Sequence, residues 1–137
     1  MKQADALIDW YQTLTPGSLD RLPEFYTEDA RFSDPFNSVQ GHAAIRSIFS
    51  HMFVTLQDPC FTDVTCYPGN GEVMLRWQFH FVLDQRPVCI EGCSLLTFAA
   101  DGRVARHQDF WDSADLYRQI PLLKPLVNWL TRKVAAT

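Results

Sequence analysis

Val73-Met74-Leu75-Arg76-Trp77-Gln78-Phe79-His80-Phe81-Val82 is the stretch on which the fold turns. Val73, Leu75, Trp77, Phe79 and Phe81 alternate with Met74, Arg76, Gln78, His80 and Val82, so one face of an extended strand is strongly apolar. A helical period would scatter the same rings around a cylinder. Turn signals stand on both sides: Pro68-Gly69-Asn70-Gly71 before the stretch and Asp84-Gln85-Arg86 after it. The strand is therefore one limb of a meander. Phe61 to Tyr67 precedes it, a long strand from about Val88 to Phe98 follows, and Asp101-Gly102 turns the chain into Val104 to Trp111.

Upstream the period is helical. Leu7, Trp10, Tyr11 and Leu14 recur at one face of a first helix that Pro16-Gly17 stops. Ser18 is a suitable N-cap for a shorter helix through Leu19, Leu22 and Phe25, which Pro23 is expected to distort. Ile45, Ile48, Phe49, Met52 and Phe53 predict a third helix. Downstream of the meander, Ser113 caps a short helix and Leu122 to Val134 forms an amphipathic one. Helices followed by long antiparallel strands indicate an α+β domain whose helices cover one face of a curved sheet. Residues 1–137 read as one domain, with a core of about 1–112 and a helical extension over 113–137.

The 137 residues suffice for one core or one enclosed pocket, and the 13% aromatic content suits an apolar cavity. A net charge of −4 with scattered cations argues against nucleic acid as partner. Neither a signal-peptide pattern nor a membrane-length apolar run is found, so a cytoplasmic location is the expectation. Cys60, Cys66, Cys89 and Cys93 lack metal-site spacing, so no metal is expected and buried free thiols are. Docking of the C-terminal helix on a membrane surface is disfavoured, because its three cations form no continuous basic face. That helix is expected to lid the pocket instead, with Ile120 or Leu123 at the rim.

Two places carry ionisable groups in apolar company. Asp34 stands between Phe32 and Phe36, where desolvation would raise its pKa, although Asp-Pro is also an ordinary turn. His107, Asp109 and Trp111, spaced by two, leave one face of the last strand; they line a cavity or form an outward polar ladder, depending on register.

The segments Gly17-Ser18-Leu19, Phe25-Tyr26-Thr27-Glu28-Asp29-Ala30, Asp34-Pro35, Gly41-His42-Ala43-Ala44-Ile45-Arg46 and Leu96 to Val104 share an order and spacing that resemble a known family. It is the SnoaL-like and ketosteroid-isomerase-like branch of the nuclear transport factor 2-like superfamily. The resemblance implies a cone-shaped curved antiparallel sheet with N-terminal helices on its concave face, and work without a cofactor. It makes Asp34, in the first Asp-Pro turn, the counterpart of the ketosteroid isomerase base. Trp10 and Ser94 fall where that enzyme has its oxyanion donors, with Tyr11 one residue away, so a true steroid isomerase is not indicated. SnoaL-like cyclases place an acid/base aspartate on a late strand, which makes Asp109 a second candidate. The implied catalytic set is Asp34, His107 and Asp109, and the implied binding wall is Trp10, Tyr11, Phe36, Trp77, Phe79, Phe81, Ser94 and Trp111. The implied partner is a small apolar molecule. The family also implies a homodimer through the outer sheet face, where Arg76, Gln78, His80, Glu91 and Cys93 would lie. His42 and His51 read as helix-surface or cap residues, and Arg46 as a surface ion-pair partner. Two function classes stay open: an isomerase, cyclase or dehydratase, and a non-catalytic binding or dimerisation module of the same fold.

Overall fold

A computed structural model describes residues 2–136. Helix α1 (Lys2–Gln12) leads through a 3-10 turn (Gly17–Arg21) into α2 (Leu22–Phe25), β1 (Tyr26–Ser33) and a short β2 (Ser38–Gln40). Then come α3 (His42–Thr55), β3 (Gln57–Pro68), β4 (Glu72–Leu83), β5 (Arg86–Phe98), β6 (Val104–Trp111), α4 (Ser113–Tyr117) and α5 (Lys124–Val134). The strands form one sheet in the order β2-β1-β6-β5-β4-β3. Its pairings are antiparallel except that of β1 with β6, which is parallel.

That order explains the role of α3. It links β2, at one edge of the sheet, to β3, at the other, so it must cross the concave face. Ile45 and Phe49 are its buried residues, and the helix packs on β1, β2 and β3. Curvature comes from β3, whose register slips twice against β4. Asp58 and Asp63 accompany the slips at φ 51° and 54°, in the left-handed region that Asp enters more readily than most residues. Each bulge adds bend and twist. The β4–β5 hairpin turns on Asp84 and Gln85 at φ 49° and 65°, the two positive values of a type I′ turn.

The alternating row does what its period predicts: Val73, Leu75, Trp77 and Phe81 are buried and Arg76 is exposed. From α1, Leu7, Trp10 and Tyr11 join the same core. The Trp77 indole lies flat over Gly92, its neighbour on β5; a Cβ at residue 92 would collide with the six-membered ring.

Several expectations need correction. The helix after Pro16 is split into a 3-10 turn and α2, with Pro23 in the first turn of α2, where a missing N–H costs nothing. Pro16 occupies the N-cap position, while Ser18 bonds back to Thr15. Asp112, not Ser113, caps α4. No thiol is fully buried; Cys60 and Cys89 are exposed, because both fall on the outer parity of the sheet. The C-terminal helix is not a lid. It rests on α4, with Thr131 taking a hydrogen bond from Arg118, and leaves Leu122 91% exposed and Leu126, Trp129 and Leu130 about half exposed. Among the described residues no helix is long and apolar enough to cross a membrane.

Gly92→Ala should displace the Trp77 indole and cost about 1–3 kcal/mol, the usual effect of overfilling a packed site. Denaturant unfolding followed by tryptophan emission reads both effects. Unchanged stability and emission would show that the ring has another place to lie.

Candidate active site

The cone encloses a cavity of about 210 Å³. Its floor is the alternating row, Trp77, Phe79 and Phe81, with Phe61 of β3 and Ile90 of β5. Ile48, Phe49, His51 and Met52 of α3 form one wall. The turn after β1 supplies Asp34, Phe36 and Asn37, and β6 supplies Asp109 and Trp111. Leu116 of α4, packed in one cluster with Trp111, lines the cavity where Ile120 or Leu123 was expected. A void of about 20 Å³ lies deeper, against Tyr11, Ser94, His107 and Asp109.

His107, Asp109 and Trp111 leave the inner face of β6 together, while Phe110 between them is 48% exposed. His107 is enclosed by aromatic rings: Tyr26 stacks parallel to it at 6.0 Å, Phe32 lies at 4.6 Å, and Tyr11 meets it edge-on. Burial there leaves its nitrogens only side-chain partners. Nδ1 is 2.7 Å from the Tyr26 hydroxyl, which is 2.5 Å from that of Tyr11. Nε2 is 2.6 Å from Asp109 Oδ1. The same Oδ1 accepts from Ser94 Oγ at 2.5 Å, and Ser94 accepts from Trp77 Nε1 at 2.8 Å.

Donor logic orients this chain. An indole N–H only donates, so the Ser94 hydrogen goes to Asp109. Asp109 Oδ1 thus receives two hydrogen bonds, the state a carboxylate satisfies, and His107 carries its hydrogen on Nε2. Nδ1 then accepts from Tyr26, which accepts from Tyr11. Burial is the main cause that holds both phenols above their ordinary pKa, so both stay neutral. Asp109 Oδ2 takes no hydrogen bond, yet no buried polar atom is left unpartnered among the described residues; Oδ2 is therefore accessible, on a residue that lines the cavity and its open cleft.

Asp34 has a different part. It is half-buried at the rim, and Oδ1 accepts from the backbone N–H groups of Phe36 and Asn37 at 2.8 and 2.7 Å, with the Asn37 amide at 3.1 Å. It caps its own turn, contrary to the expected deep burial, because the chain must reverse there into β2. Trp10 belongs to the core, not to the wall: it stacks on Phe25 at 5.0 Å and donates to Ser18 O. Tyr11 and Ser94 reach the inner void but not the main cavity, while Phe36, Trp77, Phe79, Phe81 and Trp111 line the latter. Sequence reasoning missed Tyr26, whose signal was its place on the buried parity of β1 with Ala30 and Phe32, and His51, which faces the mouth from α3. His42 bonds Tyr26 O from the start of α3, and Arg46 pairs with Asp20 at 2.6 Å. Among the described residues no group of three or more His, Cys, Asp or Glu side chains could hold a metal ion.

No curated protein matches the chain. Among solved structures, a nuclear transport factor 2-like protein of unknown function from Burkholderia pseudomallei superposes with a TM-score of 0.77 at 13% identity, covering 88% of this chain and 98% of that one. A putative SnoaL-like polyketide cyclase from Jannaschia sp. gives 0.75 at 17% identity, covering 86% and 90%. A Catenulispora acidiphila protein with a ketosteroid isomerase-like fold, in complex with trimethylamine, gives 0.71 at 14%, covering 85% and 90%. Such identities speak for the backbone alone. A family model described as a SnoaL-like domain matches residues 7–107, most of the chain, and this protein belongs to that SnoaL-like family.

Proposed function

We propose that this protein is an acid/base enzyme that removes a proton from carbon beside a carbonyl in a small, largely apolar substrate, with Asp109 as the base. The observation that carries the reading is the posture of Asp109: Oδ1 is fixed by His107 and Ser94, and Oδ2 is free on a residue that lines an aromatic cavity. A base needs geometry first, and this carboxylate has one oxygen anchored and one free. His107, backed by Tyr26 and Tyr11, orients the carboxylate and does not meet the substrate. Isomerisation, cyclisation and dehydration all begin with this step, and the putative cyclase among the structures of like fold supports that group of reactions.

The competing reading is a binding module without turnover. What favours it is the lack of a fixed oxyanion donor: the Asn37 amide is committed to Asp34, and Tyr11 and His107 are committed to each other and to Tyr26.

Proton abstraction can be read without the natural substrate, as deuterium entering the α-carbon of 2-tetralone in D₂O, followed by NMR. The protein should accelerate exchange, Asp109→Asn should lose about 10²–10⁴-fold of that rate, and Asp34→Asn should keep it within a few-fold. A ligand that occupies the cavity and never exchanges would assign the site to binding alone.

We also propose a homodimer through the outer sheet face, where Arg76 pairs with Glu91 and His80 with Thr62 in an otherwise open surface. Sedimentation at micromolar concentration should give twice the chain mass, and Gln78→Glu with Cys93→Glu should return it to the monomer. A wild-type monomer sinks the proposal.

A further inference from the structure

Among the described residues the cavity carries two carboxylates, one histidine, His51, at its mouth, and neither a lysine nor an arginine. Asp34 and Asp109 also border, with Trp111, the open cleft that leads into it, so both face one entrance. Among the described residues Asp34 has no ion pair, and the partner of Asp109 is His107, whose other nitrogen bonds the Tyr26 hydroxyl. The groups that bond to Asp34 are backbone N–H groups and an amide. Two carboxylates therefore look into a space lined largely by aromatic rings, with His51 as the one basic side chain.

Those rings stand at angles to one another. Phe36 meets Trp111 edge-on at 5.4 Å, Phe61 lies 4.7 Å from Phe79, and Phe79 lies 5.3 Å from Phe81. Each ring face is negative, and a set of mutually tilted faces beside a carboxylate suits an organic cation. A neutral guest gains the ring contacts but nothing for the water it strips from the two carboxylates, and an anion would be repelled. A cation gains from both the charges and the ring faces.

We propose that the substrate class of this site is a compact organic cation, an ammonium compound whose positive group rests against Asp34, Phe36 and Trp111 while its reacting carbon reaches Asp109. The proposal rests on reading this cavity as the substrate site. It also supplies what the residues lack: a positive charge carried by the substrate lies near the negative charge that develops when Asp109 takes the proton, in a setting where such attraction is strong. The volume, about 210 Å³, is some seven water molecules' share of liquid, so the cation is small.

Choline and 3,3-dimethylbutan-1-ol have the same shape and differ in charge. NMR titration of the full chain should show choline binding about tenfold more tightly or better, the equivalent of a desolvated cation–π contact, with the indole resonances of Trp77 and Trp111 moving. Asp34→Asn keeps an oxygen for the Phe36 and Asn37 N–H groups and should remove most of the preference. Trp111→Leu, which leaves both carboxylates in place, should weaken choline more than the alcohol. Equal affinities, tighter binding of the alcohol, no choline binding, or a preference untouched by either substitution would overturn the proposal. Exchange of 2-tetralone without a choline preference would remove this inference and leave the acid/base reading. A choline preference without exchange would do the reverse.

Discussion

Asp109 Oδ1 accepts two hydrogen bonds inside an aromatic shell, and the arrangement of the cone follows from keeping that atom satisfied. Six polar side chains from five elements converge there: Tyr11 from α1, Tyr26 from β1, Trp77 from β4, Ser94 from β5, and His107 and Asp109 from β6. All but Asp109 are buried, and an unpartnered buried group would cost about 1–3 kcal/mol. The chain therefore ties the N-terminal helix to both halves of the sheet. It also has a single consistent direction. With His107 charged, Tyr26 would donate to Tyr11, and the Tyr11 hydrogen would face no acceptor among the described residues. The direction in which Tyr11 donates to Tyr26, Tyr26 to Nδ1 of His107 and Nε2 of His107 to Asp109 is thus the one that gives every hydrogen an acceptor.

The cavity exists because the sheet curves further than its cover can follow. Two bulges in β3 roll one edge inward, and α3, tethered at both edges, spans the gap without filling it. Gly92 sets the depth of the floor. Its missing side chain lets Trp77 lie low, where Nε1 can reach Ser94. A ring standing higher would fill the space in front of Asp109. Packing, polar satisfaction and access to the base are here one constraint.

Period carried most of the fold. The alternation from Val73 to Phe81 and the helical spacing of Leu7, Trp10 and Tyr11 were legible because a buried face repeats at every step. Parity on β6 likewise placed His107, Asp109 and Trp111 on one side. What stayed hidden were the choices that parity leaves open. Asp34 bonds its own turn, and nothing local distinguishes a capping Asp from a desolvated one. Tyr26 needed the parallel pairing of β1 with β6, a contact between segments about eighty positions apart, to be seen beside His107. The helix from Lys124 misled for the opposite reason: its apolar stripe was real, but a stripe does not say what it faces, and in this chain it faces outward.

The two buried phenols make the same network an alkaline liability. Burial raises both above the ordinary tyrosine value of 10.0, so in the folded state they keep their protons where the unfolded chain releases them. A raised folded pKa means that the stabilisation is complete below the unfolded value and is lost as pH climbs through the folded one. Stability should therefore be level in this respect through neutral pH and fall from about pH 10 upward, the unfolded tyrosine value. Tyr26→Phe separates this effect from the general loss of charge balance at high pH. It removes one of the two titrations and also the Nδ1 partner of His107, so the variant should be weaker at pH 7 by about 1–3 kcal/mol and decline less steeply above pH 10. Chemical unfolding at a series of pH values checks both limbs. Parallel alkaline slopes in the two proteins would mean that Tyr26 ionises in the folded state, and that the cone is wetter at its centre than its side-chain packing allows.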